Sequence, residues 1–214
     1  VNRDLHVTRA RIEHVPEDEL SWSPPWTLAF IDHLAASRGA TIMITGDAEP
    51  ELLADLDQSR AQRARPREAV ERLLDAENRR LIQWSILGCP NAGWAHSVFG
   101  EPDVERLWDA VATATRLDEP DPVQAWEEHM ARLVSRARTL DERRFGAIRF
   151  KGPGTDLRVG LVPGHRWLTA EEETVDGVRH VVNMPSEEVF TCPDRRLTEG
   201  VVRSTMPLAL AGTI

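Results

Sequence analysis

The sequence predicts an α/β protein: an N-terminal α/β domain with a mainly parallel sheet, followed by the beginning of a β-rich domain. Up to about Phe145, short apolar or β-branched runs alternate with stretches of helical periodicity, which is typical of α/β layers. After Phe145, apolar and polar residues alternate between Gly and Pro punctuation. We therefore place a domain boundary near Arg144–Gly146, with domains at residues 1–145 and 146–214.

The N-terminal elements follow from local patterns. "PPWTLAFIDHLAAS" predicts a helix with Pro25 in its first turn, and "ATIMITGD" predicts a strand that ends at a Gly-Asp junction. "PELLADL" and "PREAVERLLDAENRRL" predict two helices, each led by a proline, and "IQWSILGCP" is typical of a buried parallel strand. Two later helices each have an apolar face, formed by Val104, Leu107, Trp108 and Val111 in one and by Val123, Trp126, Met130, Leu133 and Ala137 in the other.

The C-terminal part predicts strands and tight turns. "AIRFKGPGTDLRVGL" alternates apolar and polar residues around "GPGTD", which we interpret as a turn because no helix follows it to form a phosphate loop. "TVDGVRHVV" has Asp-Gly between β-forming residues, a strong hairpin signal. "EEVFT" and "EGVVRST" predict two further strands.

Composition excludes several classes of partner. The net charge is -9 and no basic stripe offsets it, so we expect no nucleic acid. No apolar run approaches the roughly 20 residues that span a bilayer, so we expect no membrane partner. Cys89 and Cys192 lack a CxxC spacing and indicate reduced thiols in a cytoplasmic protein. The start without Met and the end in an apolar run lead us to expect a piece of a longer polypeptide.

Candidate site residues are few. None of the seven histidines forms HxxxH or HxH, and we expect His129 to lie at the surface or edge of its helix. We expect Trp84, Trp108 and Trp126 to lie in the core. The adjacent acids of "NMPSEEVFTCP", Glu187 and Glu188, could bind a hard cation, although sequence physics alone favours exposed turn acids.

Two stretches carry a family resemblance. "RFKGPGTDLRVGLVPGHRWL" and "NMPSEEVFTCPDRRLTEGVVRST" resemble the thermophilic-type metalloaminopeptidase family, as do the upstream "ARIEHVPEDELSW", "IQWSI" and "DPVQAWEEHMARL". The resemblance spans nearly the whole chain, and the Asn-x-Pro-x-Glu-Glu segment is its most specific part.

The resemblance implies a cytoplasmic, homodimeric enzyme that releases N-terminal residues from peptide substrates with two divalent metal ions (zinc, cobalt, magnesium or manganese). Residue by residue, it implies Glu188, directly before Val189, as a metal ligand, with Glu187 the weaker candidate. The family's further ligands include a His-x-Asp pattern that is absent from residues 1–214. We therefore assign no catalytic residue, and we expect this piece to bind no metal and to be inactive by itself.

Two alternatives stay open. A mononuclear iron dioxygenase that cleaves a dihydroxypyridine ring resembles the same C-terminal architecture and would need one Fe(II) held by Glu, His and Asp. A truncated product could also act without catalysis, as a dimerisation or scaffold module. The residue sequence of the "EEVFT" segment favours the peptidase.

Overall fold

The computed structural model describes residues 4–205, which form two compact units. Within that range the first unit comprises residues 4–117 and 172–185, and the second comprises residues 118–171 and 186–205. The fold class predicted from the sequence is confirmed, because a parallel sheet among helices and an antiparallel sheet are both present. None of the helices in residues 4–205 is long and apolar enough to cross a membrane.

The first unit contains six α-helices and a parallel sheet. Its helices are α1 (Leu5–His14), α2 (Pro25–Ala36), α3 (Gln58–Arg63), α4 (Arg67–Asn78), α5 (Ala92–Phe99) and α6 (Val104–Ala114), with a short 3₁₀ turn at Glu17–Glu19. The sheet has the order β1 (Ala40–Thr45), β2 (Gln83–Gly88) and β7 (Asn183–Met184), all parallel. The parallel pairing of β1 and β2 follows from the helical crossover between them.

The second unit is built on one long helix, α7 (Pro122–Arg143), and an antiparallel sheet. The sheet has the order β3 (Ala147–Gly152), β4 (Thr155–Leu161) and β8 (Pro193–Val202). Pro153 and Gly154 form the β3–β4 turn, in which Gly154 has a φ of +72°. The predicted turn at "GPGTD" is therefore confirmed.

A two-stranded sheet of β5 (Glu171–Glu173) and β6 (Arg179–Val181) turns at Asp176–Gly177, as predicted. The Gly177 N–H donates to the Thr174 carbonyl at 3.0 Å. Gly200 in β8 has a φ of +130°, and a Cβ there would lie 2.2 Å from the Asp156 carbonyl oxygen, so a side chain does not fit at this point of "EGVVR".

Some predictions of elements and burial are wrong. Residues 50–56 form successive turns rather than a helix. The N–H groups of Leu52, Ala54 and Leu56 each bond to the carbonyl three residues earlier, and Asp57 then caps the start of α3. Helix α5 is missing from the predictions, although Asn91 caps its start and Gly100 its end. Trp108 is 42% exposed and Val123 is 70% exposed, so neither lies in the core.

The domain boundary near Arg144–Gly146 stays a prediction. By compactness, α7 groups with the strands that follow it. Four of its apolar residues are buried in helical register, Trp126, Met130, Leu133 and Ala137. Val123 continues that register toward the start of the helix but lies beyond its buried stretch.

Helix α4 has an unusual N-terminus, from which a stability prediction follows. Its N-cap residue is Pro66, which supplies no side-chain acceptor, but the buried Ser23 hydroxyl accepts a hydrogen bond from the Ala69 N–H at 3.1 Å. Ser23→Ala should therefore lower the free energy of unfolding by about 1 kcal/mol, the typical cost of losing a cap. Urea unfolding measures it. As a control, Ser97→Ala in α5 should be neutral or stabilising, because that exposed hydroxyl only bonds back to the Gly93 carbonyl; equal losses in both variants would contradict the prediction.

Candidate functional site

The candidate site is the segment Ser186–Thr191 of the second unit. The predicted strand in "EEVFT" is wrong: residues 186–189 are irregular, and only Phe190 pairs, through an isolated antiparallel bridge to Leu168. The reason lies in the partners of the backbone. Ser186 directs its carbonyl to a side chain of α7 rather than to a neighbouring strand, so no ladder extends toward it.

That side chain is His129, and the expectation that it lies at the surface or edge of its helix is wrong. His129 is 5% exposed, and its Nε2 lies 2.7 Å from the Ser186 carbonyl oxygen. A carbonyl can only accept, so Nε2 carries the hydrogen and donates. The ring also meets Trp126 edge to face, with centroids 5.5 Å apart. The sequence did contain a signal: His129 lies three residues after Trp126 and four before Leu133, on the buried face of the helix.

The other end of the segment is held by backbone pairing. The Phe190 N–H donates to the Leu168 carbonyl at 3.0 Å, and the Leu168 N–H donates to the Phe190 carbonyl at 2.8 Å. The Thr191 hydroxyl donates to the Arg166 carbonyl at 2.7 Å. The chain before Leu168 is in turn fixed to α7, because the Asp141 carboxylate accepts from the Trp167 N–H at 2.8 Å and from Arg166 Nε at 3.0 Å.

The structure distinguishes the two adjacent acids. Glu187 Oε2 lies 3.4 Å from His129 Nε2, whereas Glu188 makes no hydrogen bond or ion pair with any residue in the range 4–205. Both acids are exposed. Val189, the next residue, lines an open groove of about 300 Å³ against α7 together with Leu140. Among the described residues, Glu188 is therefore the one of the two acids that has no bonded partner.

A complete metal centre does not fit the described residues. In the range 4–205, no three His, Cys, Asp or Glu side chains are grouped so that they could hold a metal ion. The Glu188 carboxylate is a suitable oxygen donor, but one carboxylate does not make a coordination shell. His165 directly follows a turn at residues 163–164, and its Nδ1 is 2.9 Å from the Val162 carbonyl oxygen. Cys89 and Cys192 are free, exposed thiols.

Comparison with known proteins gives one consistent result. The family described as thermophilic metalloprotease (M29) matches residues 1–214. Aminopeptidase T of Thermus thermophilus is 40% identical over 218 residues, which cover 99% of this chain and 53% of that protein. Aminopeptidase AmpS of Bacillus subtilis is 33% identical over 220 residues, with the same two coverages of 99% and 53%.

Structural comparison agrees. The solved structure of wild-type AmpT from Thermus thermophilus superposes with a TM-score of 0.82 at 37% identity, covering 99% of this chain and 53% of that one. The chain thus spans about half the length of the curated relatives that it matches.

A first prediction for the site concerns the Ser186 hydroxyl. Ser186 is 3% exposed and its Oγ has no hydrogen-bond partner among the described residues. An unsatisfied buried hydroxyl costs free energy, so Ser186→Ala should leave the free energy of unfolding unchanged or raise it by up to about 1 kcal/mol. Ser23→Ala serves as the comparison, because the buried Ser23 hydroxyl does have a hydrogen-bond partner, the Ala69 N–H. A loss in Ser186→Ala as large as in Ser23→Ala would show that the Ser186 hydroxyl has a partner.

A second prediction concerns Asp141 and acid. The Trp167 N–H, and then the Arg166 guanidinium, hold the pKa of Asp141 below its usual value. A lowered carboxyl pKa stabilises the fold above the unfolded pKa of about 3.9, and this contribution is lost as the pH falls through the lower folded pKa. Asp141→Asn should therefore be less stable than wild type at neutral pH, and the difference should shrink below about pH 4.

The measurement is chemical unfolding at a series of pH values. Asp156→Asn is the control, since Asp156 pairs with Arg149 at 3.0 Å on an exposed face, where ion pairs contribute little. A stability difference for Asp141→Asn that is constant from neutral to strongly acidic pH would contradict the prediction.

Proposed function

Because the chain belongs to the thermophilic metalloprotease family, we propose that the polypeptide containing it is a metal-dependent aminopeptidase that releases N-terminal amino acids from peptides. The observation that carries this proposal is the family match over residues 1–214. The relatives named above are aminopeptidases by name, and each is about twice as long as this chain. The activity is therefore assigned to a polypeptide longer than this chain.

The role proposed for this chain in the active site is one metal ligand, Glu188. Its support is that Glu188 is exposed, unpaired within the described residues and held between two anchored residues, Ser186 and Phe190. Divalent ions supply Lewis acidity for peptide hydrolysis, and zinc, cobalt, magnesium and manganese are the candidates. The remaining ligands come from outside this chain, so the chain alone should bind metal weakly and be inactive.

The alternatives have less support. None of the relatives named above is a ring-cleaving dioxygenase by name, and nothing in the described residues favours a single iron over two metals. A purely structural role for the 214 residues concerns the isolated piece, and the inactivity expected of that piece agrees with it.

The finer properties are also proposals. The exposed free thiols of Cys89 and Cys192 support a reducing, cytoplasmic location. The net charge of -9 supports peptide rather than nucleic acid as the partner. A homodimer is proposed from the sequence resemblance alone, and light scattering of the purified protein tests it.

The test of the function uses the longer polypeptide and its Glu188 variant. Aminoacyl-chromophore substrates should be hydrolysed, and exhaustive chelation should abolish the activity. Glu188→Ala should abolish activity and bound metal, because a direct ligand is lost. Glu187→Ala should reduce activity by no more than about 10- to 100-fold, the usual cost of losing a residue that only supports a ligand.

The adjacent acid is the matched control, since both variants remove one exposed carboxylate from the same segment. The 214-residue chain is the second control and should show no turnover. Activity that survives chelation would contradict the proposed function. Loss of metal in Glu187→Ala but not in Glu188→Ala would reverse the ligand assignment.

A further inference from the structure

We propose that His129 is a positioning residue, which fixes the backbone of Ser186–Thr191 and so determines where Glu188 is presented. The claim that His129 fixes the segment rests on contacts within the second unit. Its meaning for catalysis rests on the proposed function, in which Glu188 is a metal ligand. His129 lies far from the segment in sequence, on α7, within the "DPVQAWEEHMARL" stretch and outside "NMPSEEVFTCP".

Glu188 is placed by its neighbours, because it makes no bonds of its own with the described residues. Two residues before it, the Ser186 carbonyl accepts from His129 Nε2 at 2.7 Å. Two residues after it, Phe190 exchanges both backbone hydrogen bonds with Leu168. Only Glu187, Glu188 and Val189 lie between these points. A chain this short, fixed at both ends, leaves its central residue little freedom.

Both ends of the segment, Ser186 and Phe190, are held by residues that are bonded to or belong to α7. His129 holds Ser186 directly, and Asp141 holds the Trp167 N–H next to Leu168. The two α7 residues are twelve positions apart, which corresponds to about 18 Å along a helix axis. A hydrogen-bonded helix is stiff, so α7 sets the spacing between the two ends of the segment. The buried apolar face of α7 keeps the helix itself in place.

The contact with Ser186 is one that a buried histidine makes well and an apolar residue cannot make. Both partners are buried, at 5% and 3% exposure, so water cannot easily replace the bond. Without the donor, the Ser186 carbonyl would be left buried and unpaired, which favours opening of the segment. Glu187 Oε2, 3.4 Å from the same Nε2, lies beside this contact, which leaves Glu188 as the free acid.

Amide hydrogen exchange on the 214-residue chain tests the structural part. The reporter is the Phe190 N–H, which is bonded to Leu168 and exchanges only when the segment opens. His129→Leu puts an apolar side chain in the buried position and removes the donor, and should raise the Phe190 exchange rate about 10-fold. His129→Gln, whose amide nitrogen can reach the position of Nε2, should restore a rate close to wild type.

Met130→Leu is the packing control, because Met130 is the next residue of α7, is buried, and keeps its volume in this change. It should leave the Phe190 exchange rate close to wild type. An unchanged rate in His129→Leu overturns the proposal. Equal acceleration in His129→Leu and Met130→Leu overturns it as well, since the effect would then be one of general helix packing.

The catalytic part is measured in the longer enzyme, as metal affinity by calorimetry and as kcat and KM separately. His129→Leu should weaken metal binding by about 10- to 100-fold and lower kcat more than it raises KM, and His129→Gln should recover most of both. If the segment opens in His129→Leu but metal affinity is unchanged, the ligand role of Glu188 is contradicted, while the hold of His129 on the segment stands.

Discussion

The hydrogen bond from His129 Nε2 to the Ser186 carbonyl is the contact on which the candidate site depends. It joins a buried helix face to an irregular segment that forms no ladder of its own before Phe190. Irregular backbone is stable in a protein only when its polar groups find partners. Here the partner of the Ser186 carbonyl is the side chain of His129, and the packing of α7 holds that side chain in place.

The antiparallel sheet of the second unit gives the site its second support. Strand β8 follows Thr191 closely and pairs with β4, so the chain leaves the site directly into a sheet. At Gly200, the backbone of β8 approaches Asp156 too closely for any side chain. The glycine of "EGVVR" is thus required by packing between strands, which explains a motif residue without giving it a chemical role.

The sequence predicted much of the fold because many of its signals are local. The strands β1 and β2 themselves, the hairpin at Gly154 and the hairpin at Gly177 follow from residue patterns within a few positions. The family resemblance, read from "GPGTDL" and "NMPSEEVFTCP", is confirmed by the match over the whole chain. Patterns alone failed where burial depends on distant contacts: Trp108 has the spacing of a core residue but is 42% exposed.

The sequence by itself therefore determined the fold class, the family and the segment that carries the two acids, since these depend on local patterns and on the residues of short motifs. Only the tertiary structure decided which acid is free and what holds it. Glu187 and Glu188 are chemically identical neighbours, and they differ only because His129, which is far away in sequence, lies beside one of them. A contact of that kind arises from the folding of α7 against the segment, and no spacing along the chain encodes it.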